Sequence, residues 1–142
     1  MKVLKINAQS GEHKLFNNQK IARFLHKHLD EYGDEIVDIE KCLQYVFKKG
    51  GFISVAHTED EIMGAVVINE TGMSGYIPDN ILVYIAVHEK ARGKGVGKQL
   101  MEFALNESKG DVALHVEPNN PAKHLYEKLG FTNKYLEMRY KK

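Results

Sequence analysis

The chain has little of what marks a secreted or membrane-spanning protein. Its one cysteine, Cys42, cannot form a disulfide within the chain, so nothing in the composition requires an oxidising compartment. No segment approaches the roughly 18 apolar residues that a membrane span needs. The first residues also lack the apolar run of a signal peptide. We therefore expect a soluble, cytoplasmic protein.

An excess of charge of either sign is also missing. The 20 lysine and arginine residues are balanced by 19 aspartate and glutamate residues, which leaves a formal net charge of +1. Because this balance offers no broad basic surface, we expect neither nucleic acid nor membrane as a partner. Metal-ligand spacing of His, Cys and carboxylate residues is absent, so we predict no metal site. A chain of 142 residues predicts one domain, 1–142.

Hydrophobic periodicity predicts an α/β (α+β) fold. The predicted helices cover about 18–32, 38–49, 98–108 and 122–129, and the predicted strands cover about 3–7, 52–57, 62–69, 81–87, 111–117 and 131–140. Gly33 is expected to end the first helix in a left-handed conformation, and Asp38 to cap the second. The order of elements predicts a mixed, largely antiparallel, twisted sheet of about six to seven strands flanked by helices on both faces.

A glycine-rich turn lies between the buried strand Ile81–Val87 and the third helix. Its pattern is R-x-x-G-x-G, satisfied by Arg92, Gly95 and Gly97. Glycines let the main chain approach a ligand, and the first turn of a helix has unpaired N–H groups and a dipole that favours anions. The sequence therefore predicts a site for a phosphate-bearing cofactor.

Other phosphate-binding motifs fit this turn less well. A P-loop would need Ser or Thr after Gly97-Lys98, where the chain has Gln99. A dinucleotide-binding fingerprint would need its glycines spaced G-x-G-x-x-G directly at the strand end. A glycine-rich turn that caps a helix and binds nothing remains an alternative.

A second pattern follows downstream, N-x-x-A-x-x-L-Y-x-x-x-G-F, from Asn119 to Phe131. The two patterns, in this order, resemble the cofactor-binding and closing motifs of the GNAT superfamily of N-acetyltransferases, which use acetyl-CoA. The resemblance covers Ile81–Phe131, whereas the N-terminal third matches only in the order of its elements.

The resemblance implies a role for each part of the site. Main-chain N–H groups of the turn would hold the CoA diphosphate: Arg92, Gly93, Lys94, Gly95, Val96, Gly97 and Lys98. The pantetheine arm would lie between the diverging strands and pair with the main chain near Ile85, Ala86 and Val87, where an N–H would polarise the thioester carbonyl. Asn119 would hydrogen-bond that arm. Tyr126 would protonate the leaving thiolate.

Each of these roles has an alternative in the sequence itself. Tyr126 shares the apolar stripe of its helix, so a core tyrosine with a satisfied hydroxyl is one. Asn119 could be a helix cap or a turn residue. Lys94 and Lys98 could be solvated surface charge, although weak electrostatic assistance fits a phosphate site better. The side chain of Val96 is assigned to the core.

The chain departs from the family in one respect. Many members place a glutamate on the strand before the glycine motif to take the proton of the amine, but Ile81–Val87 contains only Tyr84 among titratable residues. The candidate bases that remain are Glu70, His88, His115, Glu117 and a water molecule.

The resemblance implies an acetyl-CoA-dependent N-acetyltransferase that transfers acetyl to a primary amine by direct attack in a ternary complex. No activated Cys or Ser is visible to form an acyl-enzyme. The acceptor would be a small molecule, a peptide terminus or a lysine. The alternative is a non-catalytic acyl-CoA-binding sensor, which the missing carboxylate favours. An exposed last strand, 136–140, could pair two subunits in a homodimer.

Overall fold

The computed structural model describes all 142 residues, which form five strands and four α-helices. In chain order the elements are β1 (Lys2–Ile6), α1 (Asn18–Leu29), α2 (Ile36–Lys48), β2 (Gly51–His57), β3 (Ile62–Glu70), β4 (Asn80–Val87), α3 (Val96–Glu107), β5 (Val112–Leu114) and α4 (Ala122–Lys128). None of the helices combines the length and the apolar character that crossing a bilayer requires.

The strands form one sheet in the order β1-β2-β3-β4-β5. The first four pair antiparallel, and β5 joins β4 in parallel. The predicted mixed, largely antiparallel sheet is therefore confirmed, but it has five strands rather than six or seven.

The predicted last strand, 131–140, is not formed. Its large apolar side chains face solvent, with Leu136 84%, Met138 91% and Tyr140 87% exposed. The alternation of these residues is typical of a strand, but a strand exists only where another strand satisfies its main-chain groups. β5 is also shorter than predicted, because the strand pattern of 111–117 finds a partner on β4 over Val112–Leu114 alone.

Two helix boundaries differ from the prediction. α1 ends at Leu29 and continues as a 3₁₀ turn, Asp30–Tyr32, so Gly33 is extended (φ −97°, ψ −178°) and the residue with positive φ is Asp30 (52°). Its ψ of −124° places Asp30 outside the left-handed helical region, in a conformation that L residues rarely adopt. α2 begins at Ile36, so Asp38 lies in the first turn, where its charge suits the helix dipole, and is not the cap.

Helices cover both faces of the sheet. α1 and α2 pack on one face through fully buried residues such as Ile21, Leu25 and Leu43. α3 packs on the other face through Leu100 and its neighbours, joined by α4. This two-sided burial explains the near-continuous apolar runs of the central strands.

A glycine on β3 sets how closely α3 approaches the sheet. A β-carbon at Gly64 would lie 2.6 Å from Leu100 Cδ1 and 3.1 Å from Val96 Cγ1. Because Val96 is the first residue of α3, this contact fixes the position of the N-terminus of α3 beside the end of β4.

Candidate active site

β4 and β5 pair at one end and separate at the other. Their register runs from Asn80 opposite Val112 to Leu82 opposite Leu114 and then stops, although β4 continues to Val87. The side chain of Asn80 holds the paired end through hydrogen bonds to the carbonyls of Lys109 (2.8 Å) and Asp111 (3.3 Å). Beyond Leu82 the edge of β4 has no strand partner, and this is where the sequence predicts a cleft between diverging strands.

A β-bulge marks the point where the cleft opens. Across β3, Val67 lies opposite Tyr84 and Ile68 opposite Leu82, so Val83 is an extra residue on β4. Val83 and Tyr84 both pack toward the α1/α2 face, whereas Leu82 packs toward α3. Bulges of this kind turn side chains to a new face and end regular pairing, and they are frequent next to active sites.

The bulged strand offers main-chain groups to the cleft. The N–H of His88 donates to the carbonyl of Met63 on β3 at 2.8 Å. Because N–H groups alternate along a strand, the N–H of Ala86 also faces β3, and those of Ile85 and Val87 face the cleft. Of the three predicted residues, two therefore present their amides to the site, while Ala86 is buried in the α1/α2 core.

The glycine-rich turn presents a continuous row of unpaired donors. Gly93 and Gly95 have φ of 77° and 79°, which L side chains adopt only at a cost. No N–H from Gly93 to Lys98 donates a hydrogen bond within the chain, and the first bond of α3 runs from Gln99 N to Gly95 O. This row opens a helix of twelve residues, so the helix dipole adds to its affinity for an anion.

The side chain of Arg92 holds the turn in place. Its Nε donates to the carbonyl of Val87 at 3.3 Å, and Nη2 donates to the carbonyl of His28 at 3.1 Å. The guanidinium thus ties the end of β4 to the last turn of α1, and the main chain that follows is left to face a ligand.

The remaining side chains of the turn divide between core and surface. Val96 is buried against Gly64, whereas Lys94 and Lys98 are exposed and form no ion pair within the chain. A β-carbon at Gly97 would be in ordinary contact with Val87 and Leu125, so α4 lies close to the turn.

Tyr126 is buried, but its hydroxyl has no partner. The residue is 7% exposed, lies in the α3-side core and has its ring 6.0 Å from that of Phe131. No atom of the chain accepts from or donates to the hydroxyl, which is not among the polar atoms sealed from solvent. Burial raises the pKa of Tyr126 above its ordinary value. The arrangement differs from a core tyrosine with a satisfied hydroxyl, the alternative that the sequence left open.

Asn119 is exposed in the loop after β5, and its side chain forms no hydrogen bond within the chain. The neighbouring Asn120 forms a local turn before α4, in which its Oδ1 accepts from Ala122 N at 2.9 Å, while the N-cap position is Pro121. The carbonyl of Asn119 accepts from the hydroxyl of Tyr32 at 3.4 Å, so the α1–α2 connection reaches across to this loop.

The candidate bases from the sequence are scattered. Glu70 lies opposite Asn80, at the end of β4 remote from the glycine-rich turn. His88 lies beyond the other end of β4, where its Nε2 is 3.5 Å from Glu61. His115 and Glu117 are exposed on the segment after β5. None of these side chains forms a hydrogen bond or ion pair with a β4 side chain.

A different carboxylate does reach β4. Asp34, in the connection between α1 and α2, accepts a hydrogen bond from the hydroxyl of Tyr84, with 2.5 Å between Oδ2 and the phenol oxygen. Burial and this bond to Asp34 raise the pKa of Tyr84 above its ordinary value. Tyr84 is 7% exposed, whereas Asp34 is exposed.

The architecture has known counterparts. The family model described as "Acetyltransferase (GNAT) domain" matches residues 49–133, which is more than half of the chain. The chain belongs to the GNAT acetyltransferase family. The match includes the glycine-rich turn, the diverging strands and Tyr126.

Individual relatives of this GNAT domain extend the comparison. The chain is 36% identical over 84 residues to "5-NmdU N-acetyltransferase" of Pseudomonas phage PaMx11, a match that spans 58% of each chain. The fold resembles a ribosomal-protein-alanine N-acetyltransferase from Brucella melitensis biovar Abortus 2308, with a TM-score of 0.67, 15% identity and 99% coverage of both chains. It also resembles a protein described as a probable acetyltransferase, with a TM-score of 0.71, 20% identity and coverage of 99% and 96%.

Two features of this GNAT site could not be predicted from the sequence. The bulge at Val83 could not be predicted, because every residue from Ile81 to Val87 is hydrophobic and the sequence pattern does not change when one residue is added. Asp34 follows a helix end in an ordinary polar connection, and only its contact with Tyr84, 50 residues away, distinguishes it.

Proposed function

We propose that this GNAT domain is an acetyl-CoA-dependent N-acetyltransferase that transfers an acetyl group to a primary amine by direct attack in a ternary complex. The observation that carries the proposal is the row of unpaired N–H groups from Gly93 to Lys98 beside the cleft between β4 and β5. An anion-binding turn next to a strand with unpaired amides fits a ligand with a diphosphate and an amide-bearing arm.

The glycine-rich turn would hold the diphosphate of the cosubstrate. Main-chain donors from Gly93 to Lys98 have no partner within the chain, so binding breaks no internal hydrogen bond of the turn. Lys94 and Lys98, both exposed, would add attraction without direct pairing. Lone helix N-termini bind phosphate readily, and here the left-handed Gly93 and Gly95 add donors ahead of the helix.

The edge of β4 would position the thioester. The N–H groups of Ile85 and Val87 face the cleft, and one of them would donate to the carbonyl oxygen as negative charge develops on it. Asn119, exposed on the opposite side with a free amide, would hydrogen-bond the arm. Acetyl-CoA supplies the activated acyl group when bound.

Tyr126 would protonate the departing sulfur. A phenol has an ordinary pKa of about 10 and a thiol one of about 8.5, so proton transfer from phenol to thiolate is only slightly uphill. Burial raises the pKa of Tyr126, which keeps the phenol protonated at neutral pH. Its hydroxyl has no competing partner within the chain.

Direct attack is favoured because no acyl-carrying nucleophile is available. The only cysteine, Cys42, is 8% exposed on α2, with its Sγ 3.4 Å from Asn69 Oδ1. Burial raises the pKa of Cys42 to about 12, so the thiol is protonated and inert at neutral pH.

The acceptor is a primary amine, and one relative supplies a specific candidate. Because the phage relative is named as acting on 5-NmdU, that compound belongs in the acceptor screen beside small alkylamines, lysine peptides and peptide N-termini. The aligned part spans 58% of that relative, so its acceptor is a starting point for this chain only.

The test is thiol release from acetyl-CoA in the presence of this amine panel, with acetyl-CoA affinity measured by calorimetry on the same protein. We expect binding, and amine-dependent release with at least one acceptor. Binding without release across the panel would favour the acyl-CoA sensor. Absence of binding would overturn both functions.

A further inference from the structure

The GNAT cleft lacks an obvious site for the positive charge of an acceptor amine, because β4 carries no carboxylate between Ile81 and Val87. The tertiary structure brings one from elsewhere. Asp34 Oδ2 accepts the hydroxyl hydrogen of Tyr84 at 2.5 Å, which places an anion beside the strand at its bulge.

Asp34 has no cation of its own. Asp38 lies 3.9 Å from Lys41 Nζ, whereas Glu31 and Glu35 of the same connection, like Asp34, form no ion pair. Asp34 differs from Glu31 and Glu35 because it accepts a hydrogen bond from a buried side chain. Asp34 takes part in no ion pair and accepts a side-chain hydrogen bond only from Tyr84. An exposed carboxylate held in place by a buried donor, with free oxygen lone pairs, suits an incoming ammonium group.

The segment that carries Asp34 also spans the cleft. Tyr32, two positions earlier, donates to the carbonyl of Asn119 on the β5 side, while Asp34 contacts Tyr84 on the β4 side. Asp34 therefore lies where a segment from the α1/α2 face reaches both walls.

We propose that Asp34 binds the amine of the acceptor and takes its proton as the amide bond forms, with Tyr84 as the positioning residue that orients the carboxylate. The inference rests on the proposed acetyltransferase function. Asp34 first takes one proton from the bound ammonium and passes it to solvent, which frees the lone pair that attacks the acetyl carbon. As the bond from nitrogen to the acetyl carbon forms and the carbon–sulfur bond breaks, the nitrogen loses its second proton to Asp34, and the sulfur gains one from Tyr126. Asp34 then releases its proton to solvent and Tyr126 regains one, so ammonium plus thioester have become amide, thiol and one free proton.

Binding of a cationic probe tests the first part without turnover. Benzylammonium and benzyl alcohol have similar shapes, but only the former is charged at neutral pH, and NMR titration compares them with and without saturating CoA. We expect wild type to prefer benzylammonium by about tenfold, and Asp34→Asn to lose that preference. Equal affinity in the wild type, or a preference that survives in Asp34→Asn, overturns the inference.

A control variant separates this effect from a general loss of negative charge. Asp38→Asn removes a neighbouring exposed carboxylate that pairs with Lys41, and the ammonium preference should survive in it. If Glu117→Gln abolishes the preference and Asp34→Asn does not, the amine site lies on the β5 side and the inference is wrong.

Kinetics test the second part. We expect Asp34→Asn to lower kcat/KM for the best amine of the panel by about 100-fold, while the Kd for acetyl-CoA is unchanged. The decrease in kcat/KM should be smaller for hydroxylamine, because this weakly basic nucleophile is already neutral at neutral pH and depends less on a general base. Tyr84→Phe should raise KM for the amine and spare the Kd for acetyl-CoA. An equal deficit for all nucleophiles would reduce Asp34 to a structural residue.

The two hypotheses fail in different ways. Wild-type protein that binds no acetyl-CoA refutes the proposed function, whatever the ammonium titration gives. Wild-type protein that acetylates amines but shows no effect of Asp34→Asn leaves the function intact and refutes the role of Asp34.

Discussion

Strands β1 to β4 pair along nearly their whole lengths, whereas β5 pairs with β4 over Val112–Leu114 only. The first region satisfies its main-chain groups internally and buries residues such as Ile53 and Val67 completely. The second leaves unpaired amides on β4 and at the start of α3. The buried, fully paired strands and the unpaired amides to which we assign ligand binding therefore lie in neighbouring but separate parts of the sheet.

The largest effect should come from the fully paired region. Ile53→Ala removes a completely buried side chain from β2, and we expect it to lower the free energy of unfolding by about 2–5 kcal/mol. Leu114→Ala, on half-buried β5, should cost about 1 kcal/mol. Urea unfolding measures both changes in the free energy of unfolding. Equal changes would contradict the difference between the fully paired strands and β5.

The next effect concerns the row of unpaired donors. Gly95→Val forces a β-branched residue to φ 79° and displaces the N–H groups that follow, so we expect acetyl-CoA affinity to fall about 100-fold by calorimetry. Gly72→Val is the matched control, because Gly72 has φ 77°, an equally open environment and a position in the loop after β3. Similar affinity in the two variants would contradict the role of the turn.

A smaller effect concerns Tyr126. Tyr126→Phe keeps the ring but removes the proton donor, so kcat should fall about tenfold to 100-fold while the Kd for acetyl-CoA stays constant. Tyr135→Phe, at a tyrosine that is 79% exposed, should leave kcat unchanged.

The pH dependence sharpens the same assignment. Burial raises the pKa of Tyr126 above the ordinary phenol pKa of about 10. Tyr126 should therefore remain a proton donor across the neutral range, and kcat should fall through its ionisation only at a pH above about 10. A fall in kcat that begins near pH 8 and persists in Tyr126→Phe would assign the titration to another group.

The smallest effect should come from the end of the chain. Removal of residues 134–142 deletes exposed Leu136, Met138 and Tyr140, so the free energy of unfolding should change by less than about 0.5 kcal/mol. Sedimentation of the shortened and full chains then tests whether this segment pairs two subunits. A large loss of stability in a monomer would show that the segment belongs to the fold.

Much of the fold follows from short-range patterns. The helical stripes of α1 and α2, the hairpin of β2 and β3, and the glycine-led α3 were all predicted within a few residues of their observed bounds. The first helix ends earlier than predicted because Asp30, the first residue of a 3₁₀ turn, adopts a positive φ, which the stripe of apolar residues does not encode. The prediction of a last strand at 131–140 was wrong, because alternating apolar residues indicate a tendency to pair but not the presence of a neighbouring strand.

The sequence by itself determined the order of the elements, the glycine-rich turn before α3 and the helix that carries Tyr126, because periodicity and glycine placement act over neighbouring residues. Only the tertiary structure decided where β4 leaves β5, which amides face the cleft, and that Asp34 meets Tyr84 across 50 positions of chain. Those outcomes depend on burial and pairing between distant segments, and no local pattern carries that information.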